Sequence, residues 1–346
     1  MTTGNLFVAD LQKLTLDGAA VMVTGGTGSF GRRFVSTVLE ICDPARLIVF
    51  SRDEFKQYEM AATIPEAARD KVRFFIGDVR DRDRLCMAMR GVDYVIHAAA
   101  LKHVPAAEYN PFECVHTNII GSENVANAAI QTGVKRVVAL STDKAVSPIN
   151  LYGASKLASD KIFVAANHLA GGDGCRFSVV RYGNVVGSRG SVLPLFRRLI
   201  AEGQTSLPIT DERMTRFWIT LQQGVDFTLS CLANMRGGEI YVPKIPSMKV
   251  VDLAHALAPG VTHHVIGIRP GEKLHEVMIT RDDARSTYDL GDRYSIEPAA
   301  HQWDPGRQAA INGAMPLPED FRYSSDQNDD WLNAESLNAL LQEAAV

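Results

Sequence analysis

The sequence predicts an α/β fold, a doubly wound parallel sheet of the Rossmann kind with a smaller C-terminal substrate lobe. Three observations carry this. Short β-branched runs alternate with longer helical patterns from residue 20 onward, the signature of strands joined by crossover helices. The runs are almost wholly apolar rather than alternating, as strands must be when helices cover both faces of a sheet. A glycine-rich turn joins the first run to the first helical pattern, where dinucleotide-binding folds hold a pyrophosphate.

The elements follow in order. Ala20-Val21-Met22-Val23-Thr24 is the first strand, and a helix is expected from about Phe30 to Ile41. Leu47 to Phe50 is the second run, with a helical stretch around Phe55 to Ala62. Val72 to Ile76 comes third, before a helix from about Arg82 to Met89. Tyr94 to Ile96 is fourth, before a long helix within Pro111 to Thr132. Arg136 to Leu140 and Phe177 to Val180 are the fifth and sixth runs. Beyond them the pattern is less regular. Helical patches lie near 193–202, 221–235 and 250–258, and short strands near 239–243 and 264–268. The expected division is an N-terminal extension at 1–18, a cofactor-binding Rossmann domain at 19–189, and a partly interwoven substrate lobe and tail at 190–346. Leu337, Leu340 and Leu341 give a tail helix, about Ala334 to Ala344, an apolar stripe, which predicts packing on the body or on a neighbouring subunit.

Composition narrows the class. Of 346 residues, 46% are apolar and 22% charged, the balance of a packed globule rather than a disordered or fibrous chain. A net charge of −4 gives no basic footprint for nucleic acid. Five scattered cysteines, at 42, 86, 114, 175 and 231, form no C-x-x-C pair. They signal neither a disulfide framework nor a zinc site and suit a reducing compartment. Nine histidines include His263-His264 but no H-E-x-x-H, so no metal is expected. No apolar stretch of about 18 residues occurs, and Met1 to Gly18 lacks the basic and apolar regions of a secretory signal. The expectation is a cytoplasmic protein with no membrane partner.

Gly25, Thr27, Gly28, Ser29, Phe30 and Gly31 form the turn between the first strand and the first helix. Glycines there let the chain approach a pyrophosphate lying at a helix N-terminus. At the end of the second strand an NAD site usually carries a carboxylate for the ribose 2′-hydroxyl. Ser51 and Arg52 stand there instead, with Lys56 close by. A hydroxyl and two cations suit a 2′-phosphate, so NADP is the expected cofactor, and neighbouring Asp53 keeps NAD open. Asp78, in Gly77-Asp78-Val79 after the third strand, is a candidate for the adenine edge, against the plain alternative of a helix cap.

Ser141-Thr142-Asp143-Lys144 follows the fifth strand, and Tyr152-Gly153-Ala154-Ser155-Lys156 comes soon after. Tyr152 and Lys156, four apart, share one helix face. An ammonium beside a phenol favours the phenolate, which can take a proton from a sugar hydroxyl as hydride leaves the same carbon. Asp143 and Lys144 stand at a strand's C-terminal end, where such folds bind ligands. Taken alone, that pair reads equally well as a surface ion pair.

Together these motifs resemble the short-chain dehydrogenase/reductase superfamily, extended branch. The likeness sharpens with Ala100-Leu101-Lys102-His103-Val104-Pro105, Ser141-Thr142-Asp143-Lys144-Ala145 and Arg213-Met214-Thr215-Arg216-Phe217-Trp218. These are similar to the inverting UDP-N-acetylglucosamine 4,6-dehydratases, which make precursors of deoxy-amino sugars such as pseudaminic acid. Residues 1–18 stand outside the resemblance. The resemblance implies oxidation at C4, elimination of water across C5 and C6, and hydride return to C6. It implies Lys144 as base at C5, Asp143 as acid toward the C6 hydroxyl, and Thr142 beside Tyr152 at O4. Asp-Lys, where retaining dehydratases carry Asp-Glu, implies inversion at C5. A lysine base must be neutral, which predicts a depressed pKa for Lys144.

The resemblance also implies cofactor contacts at Val79, Ala98, Ala99 and Lys102, with Lys102 shared with substrate. Asn184 is then a sugar or phosphate contact, Arg216 and Arg269 are forked clamps on the diphosphate, and Glu272 is a uridine-ribose contact. A homo-oligomer taking a UDP-sugar is implied as well. Two rival readings share the fold. A nucleotide-sugar C4 epimerase has no use for a C5 base, and a silent NADP-binding regulator has no need of Tyr152 and Lys156.

Overall fold

The computed structural model describes residues 16–172, 174–187, 192–298 and 314–343. The expected boundary at 189/190, most of the 1–18 extension and Ala344 lie outside these residues. The chain builds β1 (Ala20–Thr24), α1 (Ser29–Ile41), β2 (Arg46–Ser51), α2 (Glu54–Thr63), β3 (Val72–Ile76), α3 (Arg82–Ala88) and β4 (Tyr94–His97). Next come α4 (Val104–Tyr109), α5 (Pro111–Cys114), a π-helical stretch Val115–Ile120, and α6 (Gly121–Thr132). Then follow β5 (Arg136–Thr142), a 3-10 turn Asp143–Ala145, α7 (Leu151–Ala170), β6 (Arg176–Tyr182) and β7 (Asn184–Val185).

The second half adds α8 (Val192–Ala201), β8 (Ser206–Ile209), β9 (Thr215–Ile219), α9 (Leu221–Asn234), β10 (Ile240–Pro243) and β11 (Ser247–Lys249). It continues with α10 (Val250–Leu257), β12 (Thr262–Val265), β13 (Val277–Ile279), α11 (Arg281–Ala284), β14 (Thr287–Asp289) and β15 (Arg293–Ile296). It closes with β16 (Met315–Pro316), β17 (Tyr323–Ser324) and α12 (Ala334–Glu343).

The main sheet has the order β16-β14-β15-β10-β6-β5-β4-β1-β2-β3. From β3 to β10 every pairing is parallel, and β15, β14 and β16 extend the edge antiparallel. The expected doubly wound α/β sheet is therefore present. β10 belongs to this sheet beside β6, because all four of its residues are buried. The second half of the chain thus weaves back into the first.

Helix faces explain the layering. α1 buries Gly31, Phe34, Val35 and Val38, the i, i+3, i+4, i+7 stripe of a core-facing helix. α9 opens on a capping box of Thr220 and Gln223, which satisfies two of its first free N–H groups. The Thr37 hydroxyl on α1 donates to Gln222 on α9 (3.2 Å). Leu16, placed in the N-terminal extension by the sequence, is fully buried in the main core.

A second apolar cluster gathers Leu193, Phe196, Met214, Trp218, Met248 and Leu253, and Leu337, Leu340 and Leu341 of α12 close it. The tail helix therefore packs on the body of its own chain. Each of its leucines contributes about 1.5–3 kcal/mol of burial.

Candidate active site

The cofactor turn forms as its glycines require. Gly25 has φ +65°, and a Cβ on Gly31 would lie 2.4 Å from the Gly26 Cα, so α1 and the turn meet only without a side chain there. Gly28 caps α1 with no side-chain hydrogen bond, and no acid stands in the first turn. Free N–H groups and an unopposed dipole fit an anion such as a pyrophosphate. Thr27 is buried at the turn, with Ser29 and Phe30 partly exposed.

Ser51 at the end of β2 is buried, its hydroxyl accepting from Gln57 Nε2 (3.0 Å). Both cations near it have acid partners. Arg52 lies 3.4 Å from Asp78, and Lys56 lies 2.6 Å from Asp53. Asp78 mainly serves Arg80, accepting from its Nη2 at 2.7 Å, so its carboxylate is engaged rather than turned freely to a base. Val79 is buried against α6. Ala98 and Ala99 extend β4, with Lys102 exposed beyond them.

The π-helical stretch places Asn118 where its amide grips Leu101 from both sides. Oδ1 accepts the Leu101 N–H (2.8 Å), and Nδ2 donates to the Leu101 carbonyl (2.9 Å). Such bulges recur at functional sites. Here the bulge fixes the 98–102 loop, and sequence reasoning missed it because a π-turn leaves no periodicity signal.

The loop that carries Asp143 and Lys144 leaves β5 at Thr142 and re-enters helix at Leu151. Its start is tight. The Thr142 hydroxyl donates to Asp143 Oδ1 (2.9 Å) and accepts the Lys144 N–H (3.3 Å). Ser147, alone among the described non-glycine residues, has a positive φ of 44°, so local strain sits within this loop. Asn150 caps α7, accepting from Gly153 N–H (2.7 Å) while its amide donates to the Gly271 carbonyl (2.8 Å). A Cβ on Gly153 would stand 2.2 Å from the Lys144 carbonyl oxygen. Glycine at 153 is therefore what lets the helix seat Tyr152 beside Thr142 and Lys144.

The loop gathers the predicted residues. Asp143 is fully buried and Oδ2 has no hydrogen-bond partner. Lys144 Nζ donates to Asp143 Oδ1 (3.0 Å) and to Asn184 Oδ1 (3.4 Å). Asn184 thus contacts the Lys144 amine. Tyr152 lies near Thr142, whose hydroxyl works to lower its phenol's pKa. Lys156 is buried one turn along α7, and burial depresses its pKa against the pull of Asp160.

Two electrostatic expectations need correction. Burial pushes the Tyr152 phenol up to about 12, although Lys144 and the Thr142 hydroxyl pull it down. The expected lowering by Lys156 does not prevail. Lys144 also goes up, not down: burial works to lower it, but Asp143 and then Glu276 outweigh that.

Arg216 needs a third correction. Its guanidinium is spent on backbone, with Nη1 donating to the Thr215 and Leu274 carbonyls and Nη2 to that of Lys273. It holds the 273–276 segment and offers no free fork to a diphosphate. Arg269 is half exposed, 3.8 Å from Glu272, and keeps its reach. Glu272 has a buried Oε2 without a hydrogen-bond partner.

Sequence reasoning missed Glu276. It is 2% exposed, and Oε1 lies 3.5 Å from Lys144 Nζ and 3.8 Å from Arg216 Nε. Its Oε2 lies 3.9 Å from Lys273 Nζ. Only its place just beyond Arg269-Pro270-Gly271-Glu272-Lys273 hinted at it. A cavity of about 630 Å³ is lined by Ser147, Ile149, Lys273, His275, Arg281 and Arg322, among others. It includes none of the expected site residues, so cavity size is no guide to the chemistry here.

Residues 21–298 match the family described as polysaccharide biosynthesis protein. A relative from Campylobacter jejuni, named UDP-N-acetylglucosamine 4,6-dehydratase (inverting), is 55% identical over 93% of this chain and 96% of its own length. The chain belongs to the inverting UDP-N-acetylglucosamine 4,6-dehydratase family. Enzymes named UDP-glucose 4-epimerase also match this dehydratase family member, that of Rickettsia canadensis at 44% identity over 80% of this chain and 82% of its own.

Among solved structures, Pen from Bacillus thuringiensis superposes with a TM-score of 0.86 at 35% identity, covering 96% of this chain and 99% of its own. The dTDP-glucose 4,6-dehydratase DesIV from Streptomyces venezuelae, solved with NAD and TYD bound, gives 0.65 at 26% identity over 74% and 86%. The family's Rossmann fold and extended short-chain dehydrogenase architecture are thus shared by this chain. Among the described residues, no helix is long and apolar enough to cross a membrane.

Proposed function

We propose that this chain is a C5-inverting UDP-N-acetylglucosamine 4,6-dehydratase, an NADP-dependent hydro-lyase that makes a UDP-4-keto-6-deoxy-hexosamine for surface-glycan biosynthesis. The observation that carries the reading is the Thr142-Asp143-Lys144 turn held against Tyr152, with the lysine amine at the centre. The family membership supports the substrate.

Each residue has a step. Tyr152, aligned by Thr142, takes the O4 proton as C4 is oxidised. The C4 ketone acidifies the C5 proton, which Lys144 removes. Asp143 gives a proton to the departing C6 hydroxyl, which leaves as water. A bound nicotinamide dinucleotide supplies the oxidant for C4 and the reductant for C6, and so is not consumed. Lys156 lies buried one turn from Tyr152 on the same helix. Arg269 and Glu272 are the residues placed for the diphosphate and the uridine ribose, with Lys102 and Asn184 toward the sugar.

NADP is preferred in this reading because Arg52 and Lys56 flank the buried Ser51 where a 2′-phosphate would lie. A cytoplasmic site of action fits five cysteines that are all free. Self-association fits the exposure of Tyr109 and Phe112, 87% and 77%. The lobe division keeps 19–189 for cofactor and 190–346 for substrate.

Incubation with UDP-N-acetylglucosamine tests the reading. A product lighter by one water, with no net loss of oxidised NADP, is expected. A product of unchanged mass would make this chain an epimerase instead. No turnover, with the cofactor still bound, would leave the silent-regulator reading.

A further inference from the structure

Lys144 can act as a base only without its proton, yet nothing in the reaction as written says where that proton goes. Two carboxylates stand within ion-pair distance of the amine, Asp143 at 3.0 Å and Glu276 at 3.5 Å. They are not equivalent. Asp143 Oδ1 accepts hydrogen bonds from the Thr142 hydroxyl and from Lys144. Its own proton, when it carries one, is committed to the C6 hydroxyl.

Glu276 is nearly fully buried, and its Oε2 accepts no hydrogen bond among the described residues. A buried carboxylate short of hydrogen-bond donors gains most from becoming neutral, and burial does raise the Glu276 pKa against the pull of its cations. The groups facing it are Lys144 and Asp143 from the turn after β5, Arg216 from β9 and Lys273 from its own segment. Arg216 does not give up a proton. Lys273 Nζ lies 3.9 Å from Oε2, and Lys144 Nζ lies 3.5 Å from Oε1. Lys144 is the nearer source.

We propose that Glu276 accepts the proton of Lys144 and so frees the amine to act at C5 of the sugar. The N–H bond of the ammonium breaks as an O–H bond forms on the carboxylate, two opposite charges cancel, and no further reactant is needed. Glu276 is thus a positioning and proton-holding residue that works through Lys144. This rests on the dehydratase reading given above.

The test follows deuterium entry at C5 from heavy water, by proton NMR, across a range of pH with UDP-N-acetylglucosamine and NADP. Glu276→Gln cannot take the proton, so its lysine must shed it to solvent. At neutral pH its exchange rate is expected to fall at least about tenfold and to recover as pH rises. Glu276→Asp, which keeps a carboxylate, is expected to restore part of the neutral-pH rate. A loss that is equal at every pH, or no loss in Glu276→Gln, overturns the proposal. The reduced-nicotinamide absorbance in a single turnover separates the two levels. Wild-type protein that gives neither that signal nor loss of water defeats the dehydratase reading itself. A Glu276→Gln protein that gives the signal but exchanges C5 slowly only near neutrality supports the proton transfer.

Discussion

In the proposed mechanism Lys144 is the residue on which the chemistry turns, and its surroundings raise its pKa rather than lower it. A protonated resting lysine means the base must be generated within the site. Lys144→Ala is expected to slow elimination by roughly two to four orders of magnitude while nucleotide binding, followed by calorimetry, is retained. Turnover at the wild-type rate would remove Lys144 from the mechanism. At the cofactor end, Arg52→Ala is expected to raise KM for NADP several-fold more than KM for NAD. Equal effects on both would place the guanidinium away from the 2′ position.

What the sequence revealed at this scale was local. The turn Gly25 to Gly31 and the spacing of Tyr152 and Lys156 lie within one or two helical turns, so their meaning survives without knowledge of the fold. Glu276 joins Lys144 only through tertiary packing, and no spacing rule reaches across that separation. Arg216 misled for the same reason. Its motif was legible, but the carbonyls that consume its guanidinium belong to a distant segment.

Among the elements, α7 does most to assemble the site. Its N-terminus is fixed by Asn150, which also ties it to Gly271, and its first turn sits against the Lys144 carbonyl. Gly153→Ala places a methyl on that oxygen. The helix start must then shift, at a cost of about 1–3 kcal/mol, and Tyr152 parts from Thr142. Activity is expected to drop at least about tenfold with cofactor affinity little changed. An alanine variant with wild-type kcat would show that the close approach is not needed.

The parallel strands β1 to β6 and the helices between them were legible because each is a continuous apolar run or a clear helical stripe. The short strands β8, β9, β11 and β13 to β17 were not. All have two to five residues, too few for a period to show, and they form where partners from elsewhere in the chain complete them.

Over the whole molecule, the return of β10, β14 and β15 to the main sheet ties the second half of the chain to the first. Burial also gives the fold a titration signature. Tyr182, Tyr241 and Tyr323 have phenols raised by burial, as do Tyr152 and Tyr294, the last two to about 12. The unfolded chain ionises its phenols near 10, before the folded chain does. Stability from these groups is therefore complete below about 10 and is lost as pH rises toward about 12. The melting temperature is expected to fall across that window and not to depend on these phenols below it. A flat melting temperature through the window would mean the tyrosines are more accessible than the fold implies.

In the proposed mechanism a lysine-centred site removes the C5 proton of a nucleotide sugar between two redox steps on one cofactor, and a proton returns to C5 from the opposite face. Proton NMR of the product formed from UDP-N-acetylglucosamine in heavy water tests it most directly. A 4-keto-6-deoxy sugar with deuterium at C5 and inverted configuration there is expected. A product that keeps the original hydrogen and configuration at C5 would contradict it.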